Sequence, residues 1–424
     1  MQIKFKLMNR YLDIRSYLQN VGFAFRALES RNFRMFFFAG MLSLLGTWIQ
    51  NLALGWLVYR LTDSAFYLGL VGFAGQIPAL FLTPLAGVFA DRINRRRILI
   101  LTQLLPMILA FVLSALVYYD NISISLVLII VLLNGFAMAF DTPFRHAFLL
   151  EMIGDKKLLI NAVALNSTLV NTARFIGPTI GGLLIAFYGE AFCFFVNGIS
   201  FMGMVVALLA MKVPPFRKKV LTASVLSDLK EGFKYTFNFR PARYMILLVT
   251  MTSIFGLPFQ AFLPVFARDI LLGNSQLLGF LTGAVGAGAL TGAFFLASRD
   301  SVKGIPDIIR FSAFLFAAGL ILFSLSSSTW LSLIILYFSG FGMIVQFAGT
   351  NTLLQTLVEE DKRGRVLSFY SMSFLGFTPV GSLMLGFLAK NIGVPYTFTI
   401  AGIVLVAAAT LFSTKVSGMK KTLF

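Results

Sequence analysis

Apolar residues along the chain form twelve long runs that short polar connections separate. Most of these runs reach the length of about twenty residues that an α-helix needs to cross the hydrocarbon core of a bilayer. The pattern therefore predicts an all-α membrane protein with twelve transmembrane helices. The predicted spans are 33–61, 65–90, 98–118, 122–143, 160–187, 191–211, 244–267, 275–297, 306–326, 329–351, 364–389 and 394–414.

The two halves of this pattern repeat one another within the sequence. Sliding the chain by 210 residues aligns Ser43 with Ser253 and Gly69 with Gly279, which lie in the first two spans of each half. Parallel repeats of six spans predict two pseudo-symmetric six-helix bundles, with a substrate site between them at the membrane midplane. The predicted units are a cytosolic amphipathic segment at 1–32, a bundle at 33–211, a cytosolic central loop at 212–243, a second bundle at 244–414 and a cytosolic tail at 415–424.

The distribution of basic residues predicts the orientation of these helices. An even number of spans places both termini on the same side, and Lys and Arg concentrate in the connections of that side. The connections of the other side carry Arg60, Arg268 and Lys390. Because cytosolic loops hold the excess of positive charge, we expect both termini in the cytosol, with membrane lipid as a partner of the basic flanks.

Composition narrows the classes of function. Apolar residues make up 58% of the chain, which excludes a soluble protein of this length. The net charge of +18 lies mostly on one side of a membrane, so we expect no nucleic-acid partner. The chain has one cysteine, Cys193, and one histidine, His146. We therefore expect no disulfide, no metal site, no cofactor and no enzyme activity.

The connection between spans two and three carries a short charged motif. It reads Gly87-x-x-x-Asp91-Arg92-x-x-Arg95-Arg96. This motif resembles the signature loop of the major facilitator superfamily, with Asn94 where that family has glycine, a mild departure because Asn tolerates left-handed backbone conformations. The resemblance implies a conformational latch in which Gly87 lets two helices approach, Asp91 bonds to the start of span eleven and Arg95 pairs with Asp141. The alternative is a charge cluster that only sets topology.

A second motif lies in span five. Its small residues and its proline are Ala173, Gly177, Pro178, Gly181 and Gly182. The run resembles the antiporter motif of drug-exporting facilitators, which implies proton-driven export. The alternative interpretation is ordinary helix packing through small residues.

Arg174 is the basic residue that lies deepest within a predicted span, about 20 Å from the start of span five at 1.5 Å per residue. A charge at that depth is costly, so we expect Arg174 to face a cavity and to contact an acidic or catecholate-like substrate, or a carboxylate of the coupling path. The alternative is a structural arginine that bonds to backbone carbonyls and to Asn166 or Asn171.

Spans one, four, seven and ten line the cavity in the transporters that this chain resembles. This resemblance nominates polar and aromatic residues of those spans as substrate contacts: Trp48, Gln50, Asn51, Asn134, Gln260 and Gln346. Gln50 and Gln260 are related by the internal repeat, so we expect them to be placed symmetrically. Each residue also has an alternative role in packing one helix against another.

Local sequence narrows the resemblance to one branch of the superfamily. The segments 140–148, 161–167, 228–235 and 363–368 are similar to the bacterial enterobactin exporters and transmembrane secretion effectors. The resemblance implies a monomeric secondary transporter of the bacterial inner membrane that exports a small siderophore-like compound by alternating access with proton antiport. The alternatives are a broad multidrug or lipid-like efflux pump, a sensor or assembly partner that no longer transports, and a membrane enzyme.

Overall fold

The computed structural model describes residues 26–90, 92–153, 158–213, 235–299 and 301–423. The predicted amphipathic segment at 1–32 and the predicted central loop at 212–243 lie mostly outside these ranges. The described residues form helices and short turns without a β-strand, which confirms the predicted all-α class.

The first half of the chain contains helices α1 to α6. Helix α1 is Arg31–Thr62, α2 is Ala65–Ala90, α3 is Arg95–Tyr118 and α4 is Ile124–Ile153. One helical segment, Leu159–Ala210, provides α5 before Gly189 and α6 after it. A short 3₁₀ helix, Arg26–Glu29, precedes α1.

The second half contains helices α7 to α12. Helix α7 begins with Arg240–Met251 and continues through π-helical and 3₁₀ turns to Ile270. Helix α8 is Ser275–Ala297, α9 is Ile305–Ser324 and α10 is Thr329–Leu357. Helix α11 consists of Glu360–Ser371, a π-helical turn Met372–Gly376 and Thr378–Ile392, and α12 is Val394–Leu423.

The number of spans follows from one glycine. Among the described residues, 11 helical segments are long and apolar enough to cross a membrane, and one of these, Asn161–Ala210, has 50 residues. Gly189 interrupts that segment with a φ of 78°, a left-handed conformation that glycine adopts at low cost. The segment is more than twice as long as a single crossing requires, so it contains two spans. The predicted total of twelve is therefore confirmed.

Three helices extend well beyond their predicted ends: α4 to Ile153, α10 to Leu357 and α12 to Leu423. The extension of α4 carries charged residues, which hydropathy assigns to a loop. Phe144 and Phe148 within it are nevertheless fully buried in the core of the first bundle. Tertiary packing of one apolar face thus continues the helix past the end of the apolar run.

Large apolar side chains cover the outside of both bundles. Phe187, Phe311, Trp330 and Phe387 are each more than half exposed. Exposed apolar side chains on this scale mark a surface that contacts lipid, since soluble monomers rarely expose large apolar patches. The protein is accordingly a multi-pass membrane protein.

The ends of the helices form two faces. We call the face with the start of α1 and the end of α6 the terminal face, and the face with the turns after α1, α5 and α7 the opposite face. Between the bundles, α2 packs against α11, and α5 packs against α8. Because α2 corresponds to α8 and α5 to α11 in the repeat, these two contacts are equivalent under the pseudo-two-fold axis.

A pair of glycines lies at each of these two crossings, near the opposite face. Gly69 of α2 meets Gly386 of α11, and a Cβ on Gly69 would lie 2.3 Å from a backbone oxygen of α11. Gly182 of α5 meets Gly279 of α8, and a Cβ on Gly182 would lie 2.5 Å from a backbone oxygen of α8. Only a residue without a side chain permits so close an approach of two helices.

Candidate functional site

A cavity of about 280 Å³ lies between the two bundles. Helices α1, α2 and α5 of the first bundle and α7, α10 and α11 of the second contribute to its wall. Its lining residues are Trp48, Gly72, Gln76, Arg174, Leu257, Pro258, Gln260, Ala261, Met343, Ile344, Phe347, Phe374, Thr378 and Ser382. The wall is thus mostly apolar and aromatic, with one charge and a few hydrogen-bonding groups, as is usual for small-molecule sites.

Arg174 brings its charge to this cavity without an acidic partner among the described residues. Its guanidinium lies over the ring of Trp48, with Cζ 5.3 Å from the ring centroid. The Nε atom of Arg174 is buried and makes no hydrogen bond with any described residue. Asn171 donates instead to the carbonyl oxygen of Ser167, at 2.9 Å. The geometry therefore does not match the alternative of an arginine bonded to Asn171 and to nearby carbonyls.

Breaks in α7 and α11 shape the second half of the cavity wall. In α7 the backbone changes from π-helical to 3₁₀ at Leu257, and Pro258 and Pro264 follow. In α11 a π-helical turn ends at Gly376, and Pro379 follows. Proline removes a backbone donor and disfavours a continuous helix, and broken helices often line the sites of transporters. Residues adjacent to both breaks line the cavity.

Two of the predicted substrate contacts lie on the cavity wall, namely Trp48 and Gln260. Gln50 is buried within the first bundle, where its Oε1 accepts from Nδ2 of Asn197 at 2.8 Å. Its repeat mate Gln260 lines the cavity, so the expected symmetric placement is wrong. A hydrogen bond between two spans holds the Gln50 amide away from the cavity.

The remaining predicted contacts also differ from expectation. Gln346 is buried, and its Nε2 donates to Oγ1 of Thr252 at 2.6 Å, so it joins α10 to α7 inside the second bundle. Asn51 is exposed one turn after Trp48, and Asn134 is half-buried on α4. Neither residue belongs to the cavity lining.

The antiporter-like motif lies where α5 meets both α1 and α8. A Cβ on Gly177 would lie 2.6 Å from Cβ of Trp48, and one on Gly181 would lie 3.2 Å from Cα of Ile49. Ala173 is buried, and the carbonyl oxygen of Pro178 lies 2.9 Å from the ideal Cβ position on Gly279 of α8. The small residues therefore pack α5 against α1 and, through Gly182, against the other bundle.

Polar contacts join the bundles at the opposite face. Nη1 of Arg268, at the end of α7, lies 2.6 Å from Oδ1 of Asp63, just after α1. The hydroxyl of Tyr59 donates to the carboxylate of Asp269. Together with the glycine crossings, these contacts close this side of the molecule. The cavity lies on the inner side of the closure.

Arg95 and Arg96 of the charged motif, at the terminal face, contact residues of the first bundle. Arg95 donates to the carbonyl oxygen of Ala90 at 2.8 Å and pairs with Glu151 of α4. Arg96 donates to two carbonyl oxygens at the end of α6, where the helix dipole favours a cation. The predicted pairing of Arg95 with Asp141 is wrong, because Arg95 forms its ion pair with Glu151 on the extended end of α4. Asp91 lies outside the described residues.

Two further expectations for this motif need correction. Asn94 has an extended conformation with a φ of −61°, and its side chain accepts from the backbone N–H of Arg97 at 3.2 Å. It therefore caps the N-terminus of α3 and does not need left-handed tolerance. No described atom lies within 4 Å of an ideal Cβ on Gly87, so the predicted close helix approach is absent in this conformation. The side chain of Arg92 is exposed.

Asp141 lies at the centre of a buried polar network. Its Oδ1 accepts from Oγ1 of Thr102 at 2.9 Å and from Nε2 of Gln103 at 2.7 Å. Its Oδ2 lies 2.9 Å from Nε of Arg145, one turn later in α4. The carboxylate therefore has three partners on α3 and α4, all within the first bundle.

The family model of the transmembrane secretion effectors, a group of major facilitator transporters, matches residues 23–422. The chain belongs to this family. The staphyloferrin A transporter of Staphylococcus aureus is 28% identical over 389 residues, which cover 89% of this chain and 95% of that protein. Macrolide efflux protein A of Streptococcus pyogenes is 21% identical over 374 residues, or 87% and 91% of the two chains. The solved structure of the nucleoside transporter NupG has the same fold, with a TM-score of 0.71 and 16% identity over 91% of this chain and 98% of that one.

In this transmembrane secretion effector, the cavity contains residues that the sequence interpretation missed. Gln76 of α2 and Thr378 and Ser382 of α11 line it, whereas the residues nominated from the sequence lie in spans one, four, five, seven and ten. The sequence does hold a signal for the broken helices, since Gly256 precedes Pro258 by two residues and Gly376 precedes Pro379 by three. Such Gly/Pro interruptions inside apolar runs point to a binding site.

Proposed function

We propose that this transmembrane secretion effector is a secondary active transporter that exports a small amphiphilic compound by alternating access. One relative is named as a transporter of staphyloferrin A and another as a macrolide efflux protein, which supports export of a small organic compound. The cavity of about 280 Å³, close to the lower end of the range for small-molecule sites, lies between the bundles, where a transported compound would bind.

The observation that carries the proposal is the position of the cavity behind a closed opposite face. Both bundles line it, and the glycine crossings and the Asp63–Arg268 pair lie on one side of it. The close contacts between α2 and α11 continue to Leu80, whose Cδ1 lies 2.5 Å from an ideal Cβ on Gly376. Farther along α2, Gly87 has open space around it. This asymmetry fits a conformation in which the substrate enters from the terminal face.

The terminal face lies in the cytosol in this proposal, because it carries the greater excess of Lys and Arg. The motif from Gly87 to Arg96 then acts as a latch that engages the second bundle only when the terminal face closes. In the described conformation Arg95 and Arg96 hold contacts within the first bundle. Release of these contacts would make both guanidinium groups available for the closed state.

Inward proton flow drives the export in this proposal, with Asp141 as the proton carrier. Asp141 is the most deeply buried carboxylate among the described acidic residues, and it holds Arg145 through an ion pair. A proton on Asp141 would release Arg145 within α4 and weaken the hydrogen bonds that the carboxylate accepts from Thr102 and Gln103 of α3. Protonation would thereby change the packing of the first bundle.

Everted membrane vesicles from a bacterial host that expresses the protein provide the test. With an imposed pH gradient, we expect the vesicles to accumulate staphyloferrin A or a macrolide, and an uncoupler to abolish the accumulation. Compounds that bind to the purified protein without accumulating would contradict transport and indicate a sensor. Accumulation of the macrolide as well as staphyloferrin A would favour the alternative of a broad multidrug pump, which the apolar side chains of Leu257, Met343 and Phe347 also suit.

A locked variant tests alternating access in the same vesicles. Asp63→Cys and Arg268→Cys place a thiol on each bundle at the opposite face, and the native Cys193 is buried. We expect a short bifunctional thiol reagent to stop transport in the double variant and reduction to restore it. Each single variant, treated with the same reagent, is the matched control. Full transport by the completely cross-linked protein would contradict the mechanism.

A further inference from the structure

We propose that the central cavity is an anion-binding site in which Arg174 selects compounds that join a carboxylate to a planar apolar group. The inference deepens the proposed function by giving the chemical class of the exported compound. It rests on that function for the movement of the compound, whereas binding to the cavity can be measured without any transport.

The charge balance of the cavity is the first argument. Arg174 is the charged side chain in the lining, and no Asp or Glu is among the described residues that form it. No ion pair or hydrogen bond joins Arg174 to another described residue. A cation without a counter-charge in a poorly solvated site attracts anions and repels cations.

The second argument is the unsatisfied donor on Arg174. Its Nε–H is buried and unpartnered, which is unusual because buried polar groups almost always have a hydrogen-bond partner. A carboxylate that reaches the guanidinium would accept two parallel hydrogen bonds from its planar fork. A neutral compound of the same shape would leave at least part of that fork unpaired.

The residues around Arg174 indicate the rest of the ligand. Trp48 holds one side of the guanidinium through a cation–π contact at 5.3 Å. Phe347 and Phe374 contribute aromatic surface from α10 and α11, and their ring centroids are 4.6 Å apart. A planar apolar group beside the carboxylate would stack on these rings.

Gln260 adds a second polar group to the cavity wall, on the other bundle from Arg174. Its Nε2 has one weak contact, with Sδ of Met343 at 3.8 Å, so its amide retains capacity for a ligand oxygen. Arg174 belongs to the first bundle and Gln260 to the second. An anionic ligand that bonds both residues would therefore bridge the two bundles, as a transported substrate must.

Three naphthalene derivatives of similar size provide the probes: 2-naphthoate, 2-naphthamide and (2-naphthylmethyl)trimethylammonium. Equilibrium dialysis measures their binding to the full chain in neutral-lipid nanodiscs, with empty nanodiscs subtracted. Because hydrogen bonds to a charged group are strong, we expect the anion to bind the wild type about tenfold more tightly than the amide. The cation should bind more weakly than either.

Variants of Arg174 give the decisive comparison. We expect Arg174→Gln to bind the anion and the amide equally, and Arg174→Lys to keep a reduced preference because its ammonium lacks the planar fork. Arg310→Gln is the matched control, since Arg310 pairs with Asp307 outside the cavity lining and should keep the full preference.

Thermal unfolding of each variant distinguishes a loss of anion binding from a loss of the folded structure. Removal of a buried, unpartnered charge should leave the apparent Tm unchanged or raise it. A large fall in Tm for Arg174→Gln, together with a retained anion preference, would identify a structural arginine and overturn the proposal. Equal binding of the three probes to the wild type, stronger binding of the cation, or no binding of any probe would also overturn it. Anion binding without movement of the anion in vesicles would contradict only the proposed transport.

Discussion

The hydrogen bond from Tyr59 to Asp269 should be the strongest single polar contact that keeps the opposite face closed. Tyr59 is 5% exposed, and its hydroxyl reaches across the bundle interface to a carboxylate. Tyr59→Phe removes only the hydroxyl and keeps the ring. A hydrogen bond to a charged group contributes about 1.5–3 kcal/mol, and the low end applies here because Asp269 can regain water. About 1.5 kcal/mol corresponds to roughly a tenfold change in the ratio of open to closed molecules.

The neighbouring ion pair should contribute less. The side chains of Arg268 and Asp63 are 41% and 69% exposed, so water screens their attraction. Exposed pairs contribute about 0.2–1 kcal/mol, which corresponds to at most about a fivefold change in the same ratio. Asp63→Asn should therefore open this face less than Tyr59→Phe does, although the ion pair has two formal charges.

Distances between nitroxide labels on the two bundles measure this ratio. Tyr188→Cys and Leu272→Cys place labels in exposed turns of the opposite face, in a Cys193→Ala background. Pulsed electron–electron double resonance then gives the fractions of molecules in nanodiscs with a short and with a long distance between the two labels. An unchanged distribution in Tyr59→Phe, or a larger shift in Asp63→Asn, would refute this ranking of the two contacts.

Two further predictions concern packing inside the membrane. Asp141→Asn leaves Arg145 without its carboxylate, so the apparent Tm should fall by an amount that corresponds to roughly 3 kcal/mol of stability. The control is Asp307→Asn, which removes a carboxylate from an exposed ion pair and should change the Tm little. Equal changes in Tm for the two variants would contradict this prediction. Gly182→Ala places a Cβ 2.5 Å from a backbone oxygen of α8, so the same label pair should show more molecules with an open opposite face. Gly203→Ala, with open space around it, is the control, and a similar shift in both variants would show that the crossing is unimportant.

The hydrophobic pattern of the sequence predicted the fold. The depth of Arg174 within its span predicted the position of that residue in the cavity. Twelve apolar runs give twelve spans, because a bilayer sets a minimum length for each. Arg174 could be selected by its position within α5 alone, since a charge at that depth needs a polar cavity. Its position on the cavity wall agrees with that expectation.

The faces of the helices could not be predicted in the same way. Gln50 and Gln260 occupy equivalent positions in the repeat, yet Gln50 bonds to Asn197 inside its bundle and Gln260 lines the cavity. The difference arises because α7 is broken at Leu257, which turns the following residues relative to an unbroken helix such as α1. Periodicity assumes a regular helix, so it fails where the helix is interrupted.

The charged motif after α2 shows a second limit, since its partners depend on conformation. The expected pair of Arg95 and Asp141 is replaced by Arg95 with Glu151 and Asp141 with Arg145. The observed pairs add Glu151 and Arg145, which the prediction did not include, and both pairs lie within the first bundle. Sequence alone gives the charges that are available, whereas the conformation determines which of them meet.

The strengths of these contacts differ according to where the molecule has to move. Contacts inside the first bundle include the core around Phe144 and Phe148 and the buried network of Asp141, which favour a rigid bundle. Across the opposite face, the Asp63–Arg268 pair is exposed, and the crossings at Gly69 and Gly182 are close contacts of backbone with backbone. A transporter needs two states that differ by only a few kcal/mol, because a larger gap would leave one state unpopulated. An exposed ion pair can break and re-form at low cost, so the polar contacts of the opposite face satisfy that condition while the first bundle keeps its internal packing.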